Sequence, residues 1–131
     1  MIGVDTNVLV RLFIVDEPQS SKSKAFFAAR SPDDPGYVPL VVIAESAWVL
    51  RRKYKQGVEQ ICRVMQSILD SDDFVVQERH VVEWAVANYL HSSIDFADLL
   101  IARTSELAGA KNTATFDQNA AKRIPGMELL A

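Results

Sequence analysis

A chain of 131 residues, 49% hydrophobic and 24% charged, can bury one substantial core and is globular rather than disordered. Its net charge of −3 excludes a generic nucleic-acid binder held by a basic surface, but not an enzyme whose acidic site is reversed by bound cations. The lone cysteine, Cys62, excludes an internal disulfide and suits a reducing cytoplasm, and no apolar run reaches the ~18 residues of a membrane span.

The N-terminus is poor in charge and lacks the basic flank of a secretion signal, so Met1 is expected to enter the fold directly. The apolar run Ile2-Gly3-Val4 breaks at Asp5, where an amphipathic pattern starts; a buried strand ending at Asp5 and a helix over 6–14 are expected. A second helix follows Pro18 over 19–30, and Ser31-Pro32-Asp33-Asp34-Pro35-Gly36 reads as a loop before a short strand at Tyr37-Val38. Leu40 to Tyr54 and Val58 to Leu69 pair as a helical hairpin across Gly57. Phe74-Val75-Val76 is the next strand. Helices over 79–90 and 95–107 lead to a strand over 112–116, a short helix over 117–123 and a closing edge strand over 127–130. Strands alternating with helices imply an α/β fold, with a mainly parallel sheet of about four or five short strands flanked by about seven helices. Neither repeat nor linker interrupts the chain, so one domain over residues 1–131 is expected.

Among seventeen acids, the informative ones stand against their local pattern. Asp5 and Asp117 each end a strand, where an α/β sheet gathers its ligands, yet each also precedes a helix that it can cap. Glu45 falls on a helix apolar on nearly every side, with Val41, Val42, Trp48 and Val49 around it and Ile43, Ala47 and Leu50 opposite. That pattern predicts a buried carboxylate, paired with Arg11 or Arg52 or bound to a cation. Asp98 shares an inward face with Ile101, Ala102 and Ser105, while Asp95, nearer the helix start, is the better cap. Thr115 can add a hydroxyl beside Asp117. Four carboxylates brought to one pocket repel each other, and a hard divalent cation relieves that repulsion. Mg²⁺ or Mn²⁺ suits an all-oxygen set, since no Cys or His cluster is present to hold zinc. Such a cation supports phosphodiester hydrolysis by an activated water.

Val4-Asp5-Thr6-Asn7-Val8-Leu9, Val42-Ile43-Ala44-Glu45, Phe96-Ala97-Asp98-Leu99-Leu100-Ile101-Ala102 and Thr115-Phe116-Asp117 occur in this order over essentially the whole chain. Together they resemble the PIN-domain ribonucleases, in particular the VapC-type toxins of toxin–antitoxin pairs. The resemblance implies a three-layer α/β/α fold and an acidic quartet of Asp5, Glu45, Asp98 and Asp117 that holds Mg²⁺ or Mn²⁺. It makes Thr6, Asn7 and Thr115 supporting residues. It also implies cleavage of single-stranded RNA, a homodimer and a cognate antitoxin protein. Some relatives carry a further acid after the last Asp; Gln118 and Asn119 stand there in this chain, which puts a second metal in question.

Other features carry less. His80 and His91, eleven residues apart, fall about 16 Å apart on one expected helix and cannot flank one phosphate. Arg51-Arg52-Lys53-Tyr54-Lys55 is read as a solvated helix end, with guidance of RNA phosphates as the alternative. Trp48 and Trp84 are read as core or interface anchors, and Cys62 as a small buried side chain. No Gly-rich phosphate loop is present. The rival functions are a metal-dependent phosphatase or phosphotransferase using the same acids, and a non-catalytic RNA-binding module whose acids are caps and salt bridges.

Overall fold

The short apolar runs become strands and the longer amphipathic runs become helices, so that one or two helices separate successive strands along the chain. The computed structural model describes residues 1–130; Ala131, the last residue of the expected domain, lies outside the described residues. In order the elements are β1 (Ile2–Gly3), α1 (Thr6–Phe13), α2 (Gln19–Ala28), β2 (Gly36–Val38), α3 (Leu40–Arg52) and α4 (Val58–Asp70). They continue with β3 (Phe74–Val76), α5 (Arg79–Asn88), α6 (Phe96–Leu107), β4 (Thr113–Thr115), α7 (Gln118–Arg123) and β5 (Met127–Leu129). The class is α/β with parallel strands and seven described helices, as the sequence predicts. No described helix is long and apolar enough to cross a membrane.

All strand pairings are parallel, and every one is closed through at least one helix, the connection that parallel strands require. Ile2 lies opposite Gly36, and Gly36 in turn opposite Phe74, giving the order β1-β2-β3. A β-carbon at Gly36 would sit 3.0 Å from Val4 Cγ2, so glycine lets the chain between β1 and β2 close up. The expected single sheet differs in one respect. The strands β4 and β5 pair with each other, Thr113 opposite Met127, and no ladder joins them to β1 among the described residues. Strands of two and three residues offer few hydrogen bonds, so helix packing has to hold these two groups together.

That packing centres on α3, which contacts α1, α4 and α6. Its residues Ile43, Ala47 and Leu50 are buried, and they join Leu9, Ile61, Met65, Val82 and Leu99 in one core. The expectation that α3 is buried all round is wrong. Val41 is 72% and Trp48 is 56% exposed, and Glu45 between them faces solvent. The apolar arc of the helix is wider than the surface its neighbours cover. Arg51 corrects a second expectation, that the basic run is merely solvated. Helical spacing from buried Ile43 and Ala47 turns it inward, where its guanidinium donates to Tyr89 Oη at 3.1 Å and Ile94 O at 2.6 Å and meets Asp95 at 3.4 Å. Two further differences are local. On α2, Ser20 and Ser23 are buried while Ala25 and Ala29 are exposed. The Ser20 hydroxyl donates to Ile14 O and accepts from Asp16 N, closing the turn after α1.

Leu50 is 1% exposed at the junction of α3 with the core. Leu50→Ala is expected to cost about 2–5 kcal/mol, read as a lowered urea midpoint at unchanged slope.

Candidate active site

The chain leaves β1 through Val4, whose N–H still reaches Tyr37 O at 2.9 Å, and turns at Asp5 into α1. Asp5 has the extended backbone of a helix N-cap, and its carboxylate accepts from Thr6 N at 2.8 Å. Capping therefore occupies one oxygen and leaves the rest of the exposed carboxylate free. Thr6 is 6% exposed, and its hydroxyl donates to Glu45 Oε1. This bond ties the carboxyl end of β1 to the middle of α3. Neither Arg11 nor Arg52 pairs with Glu45, so the expected salt bridge is replaced by a neutral hydroxyl donor. Asp5, Thr6, Asn7 and Glu45 line one cavity of about 470 Å³, with Arg11 and Lys53 on its wall.

The second pair of acids rises from α6 and β4. Asp117 caps α7, accepting from Ala120 N at 3.0 Å, while its own N–H donates to Thr115 Oγ1 at 3.0 Å. Asp98 stands in the first turn of α6, half-buried. Burial first, then the like charges of Asp95 and Asp117, push its carboxyl above the usual range. Asp95 holds the N-cap position without a side-chain cap, because its carboxylate turns to Arg51 instead.

The structure thus brings the predicted acids together as two pairs, Asp5 with Glu45 and Asp98 with Asp117. Among the described residues no three acidic, His or Cys side chains are gathered closely enough to hold a metal ion. The link between the pairs is one step back along each helix. Ala44 and Ala97, which directly precede Glu45 and Asp98, line a common groove between α3 and α6. In kind, the donors fit a hard divalent cation, since all are carboxylate or hydroxyl oxygens, and the repulsion on Asp98 is what such a cation relieves. His80 and His91 take no part. His91 lies beyond the end of α5, so the two do not share a helix as expected; both are exposed.

The acid-rich cavity also has a wall not foreseen from the sequence. Tyr54 Oη donates to Asp16 Oδ2 at 2.7 Å and Arg11 Nη2 lies 3.4 Å from the same oxygen. The tyrosine bond holds Asp16 below the usual carboxylate range; burial opposes it, and the charges of Arg11 and Lys53 add smaller pulls in the same direction as the tyrosine. The signal for this wall was present: Lys53 follows Glu45 by eight residues, two turns on, and shares its face.

The parallel α/β fold sets acids at the carboxyl ends of β1 and β4 and on the helices beside them, where open α/β sheets gather their ligands. The chain belongs to the PIN domain family, whose model matches residues 2–126. PIN domains are generally nucleases and typically bind divalent metal ions. No curated protein matches the chain.

Asp98 supplies a test of this electrostatics without any cation. Its folded-state pKa is raised, so the stability its proton confers is present at low pH and is lost as pH rises from the ordinary carboxylate range through the raised value. Asp98→Asn removes that loss. The melting temperature of the variant relative to the parent, both in chelator, is expected to be higher at pH 7 than at pH 4 by a few degrees. Equal differences at both pH values would show that Asp98 bears no such burden.

Proposed function

We propose that this protein is an endoribonuclease that hydrolyses single-stranded RNA with Mg²⁺ or Mn²⁺, and that it is the toxin of a toxin–antitoxin pair working in the cytoplasm. The observation that carries the reading is the Thr6 hydroxyl bound to Glu45, which sets the acid of a strand end beside an acid of α3 within a family of nucleases. Asp5, Glu45, Asp98 and Asp117 would hold the cation, with Thr6 fixing the Glu45 carboxylate and Thr115 fixing the turn that presents Asp117. When bound, the cation supplies a lowered pKa for water and neutralises charge developing at phosphorus. Asn7, at the mouth of the same cavity, offers an amide to substrate oxygen. The phosphotransferase alternative needs a second acid close after the nucleophile, and Asn7 stands two residues after Asp5.

Hydrolysis by water, rather than by the 2′-hydroxyl, leaves 5′-phosphate and 3′-hydroxyl ends. Purified protein is expected to cut single-stranded RNA in Mn²⁺, to stop in chelator, and to lose about 10²-fold or more in rate with Asp5→Asn or Asp98→Asn. Cleavage that survives chelation, or that leaves 2′,3′-cyclic phosphates, defeats the reading. A separate readout is stability. Mn²⁺ at about a hundred times its dissociation constant should stabilise the parent by about 2.7 kcal/mol, and Asp98→Asn should not respond.

Two partners belong to this proposal. A cognate antitoxin would reach the acidic cavity with an arginine, whose guanidinium can replace the cation between carboxylates. A second copy of the chain would cover the bare face of Val41, Trp48 and Ile101, which are 72%, 56% and 50% exposed. Sedimentation should give a dimer for the parent and a monomer for Trp48→Glu; a parent that stays monomeric at high concentration removes the homodimer from the proposal.

A further inference from the structure

The basic run that closes α3 divides into side chains with different fates. Arg51 is spent inside the fold on Tyr89, Ile94 and Asp95. Lys53 continues the helix as its C-cap residue with helical backbone angles, stays exposed, and lines the cavity that holds Asp5 and Glu45. It enters no ion pair among the described residues. The other cation on this wall, Arg11, is committed to Asn7 O and to Asp16. The ammonium of Lys53 lies 5.3 Å from the centroid of the Tyr54 ring, and that ring is held by the bond from Tyr54 Oη to Asp16. A free cation is therefore kept on one wall of an acidic cavity by a tyrosine that is itself fixed.

We propose that Lys53 is a substrate-binding residue that grips an RNA phosphate a few nucleotides along the strand from the one being cut. The inference rests on the nuclease reading and adds to it where the strand runs. Glu45 and Lys53 share one helix face eight residues apart, which is about 12 Å along the axis. At about 3.4 Å of axis per phosphate in a stacked strand, that span is about three to four nucleotide steps. The acid end of the cavity takes the scissile phosphate, and Lys53 takes one a few nucleotides further along. The strand then lies along α3 from Glu45 past Val49 to Lys53, over the mouth of the cavity. The division of labour follows from charge. Two carboxylates without a cation repel a polyanion, and one unpaired ammonium on the same face offsets that repulsion where no chemistry occurs.

The test is equilibrium binding of a fluorescein-labelled, mixed-sequence single-stranded RNA to the whole protein, with cleavage of the same RNA in Mn²⁺ measured in parallel. The variants are Lys53→Ala, Lys53→Arg and, past the far end of α6, Lys111→Ala. Lys53→Ala is expected to bind about five- to tenfold more weakly, with its log–log salt slope reduced by about one. It should raise KM while leaving kcat near the parent value, and Lys53→Arg should restore binding. Melting temperatures equal to the parent's show that the variants are folded. If the parent binds and cuts but Lys53→Ala matches it, or if Lys111→Ala loses as much as Lys53→Ala, the assignment of Lys53 is overturned and the nuclease reading stands. If the parent neither binds nor cuts RNA in Mn²⁺, the nuclease reading falls and takes this inference with it.

Discussion

One hydroxyl joins the end of β1 to the middle of α3. Thr6, buried at the start of α1, donates to Glu45 in the middle of α3. Strand β1 contributes only two residues and one neighbour, so its ladder alone would fix the direction of Asp5 poorly. The Thr6–Glu45 bond adds a cross-link between the strand end and a helix that is itself anchored in the core through Ile43, Ala47 and Leu50. A threonine suits this place because it satisfies a carboxylate without neutralising it. An arginine there would form a salt bridge and block the charge that the site needs.

The burden of holding the remaining acids falls on helix termini. Asp5 and Asp117 both act as N-caps, so the residues proposed for function also serve the fold. The two roles are compatible because a cap uses one lone pair of a carboxylate that has about four. Asp98 is the exception. It is half-buried beside Asp95 and Asp117, and its elevated pKa marks a place where the fold tolerates repulsion. Arg51 limits the damage by drawing Asp95 toward Tyr89 and Ile94, and Asp98 itself has no cationic partner among the described residues.

Much of this was legible in the sequence, for reasons that differ by element. Periodicity gave the helices within a residue or two, because long amphipathic runs leave few alternatives, and the acid at the end of each short apolar run marked the strand ends at Asp5 and Asp117. Glu45 was legible as unusual, but its burial was misjudged: an apolar arc shows that a face avoids water, and cannot show whether the same chain supplies the cover. Arg51 stands in a basic helix end, where cations are ordinarily solvated and complement the helix dipole, and only its spacing from Ile43 and Ala47 signals that it turns inward. The break between β1 and β4 was beyond reach, since register among strands this short depends on contacts between helices far apart in sequence.

That break has a consequence for how the site is dimensioned. Within a β-ladder, positions are quantised: a residue shifts by a whole register step or not at all. Asp5 and Glu45 belong to one side of the break, Asp98 and Asp117 to the other, and the groove shared by Ala44 and Ala97 spans it. The spacing of the acid pairs is thus a graded quantity, resting on how α3 and α6 pack rather than on a shared ladder. Substitutions in the hydrophobic seam between these helices would therefore shift the acids relative to each other without touching a single carboxylate.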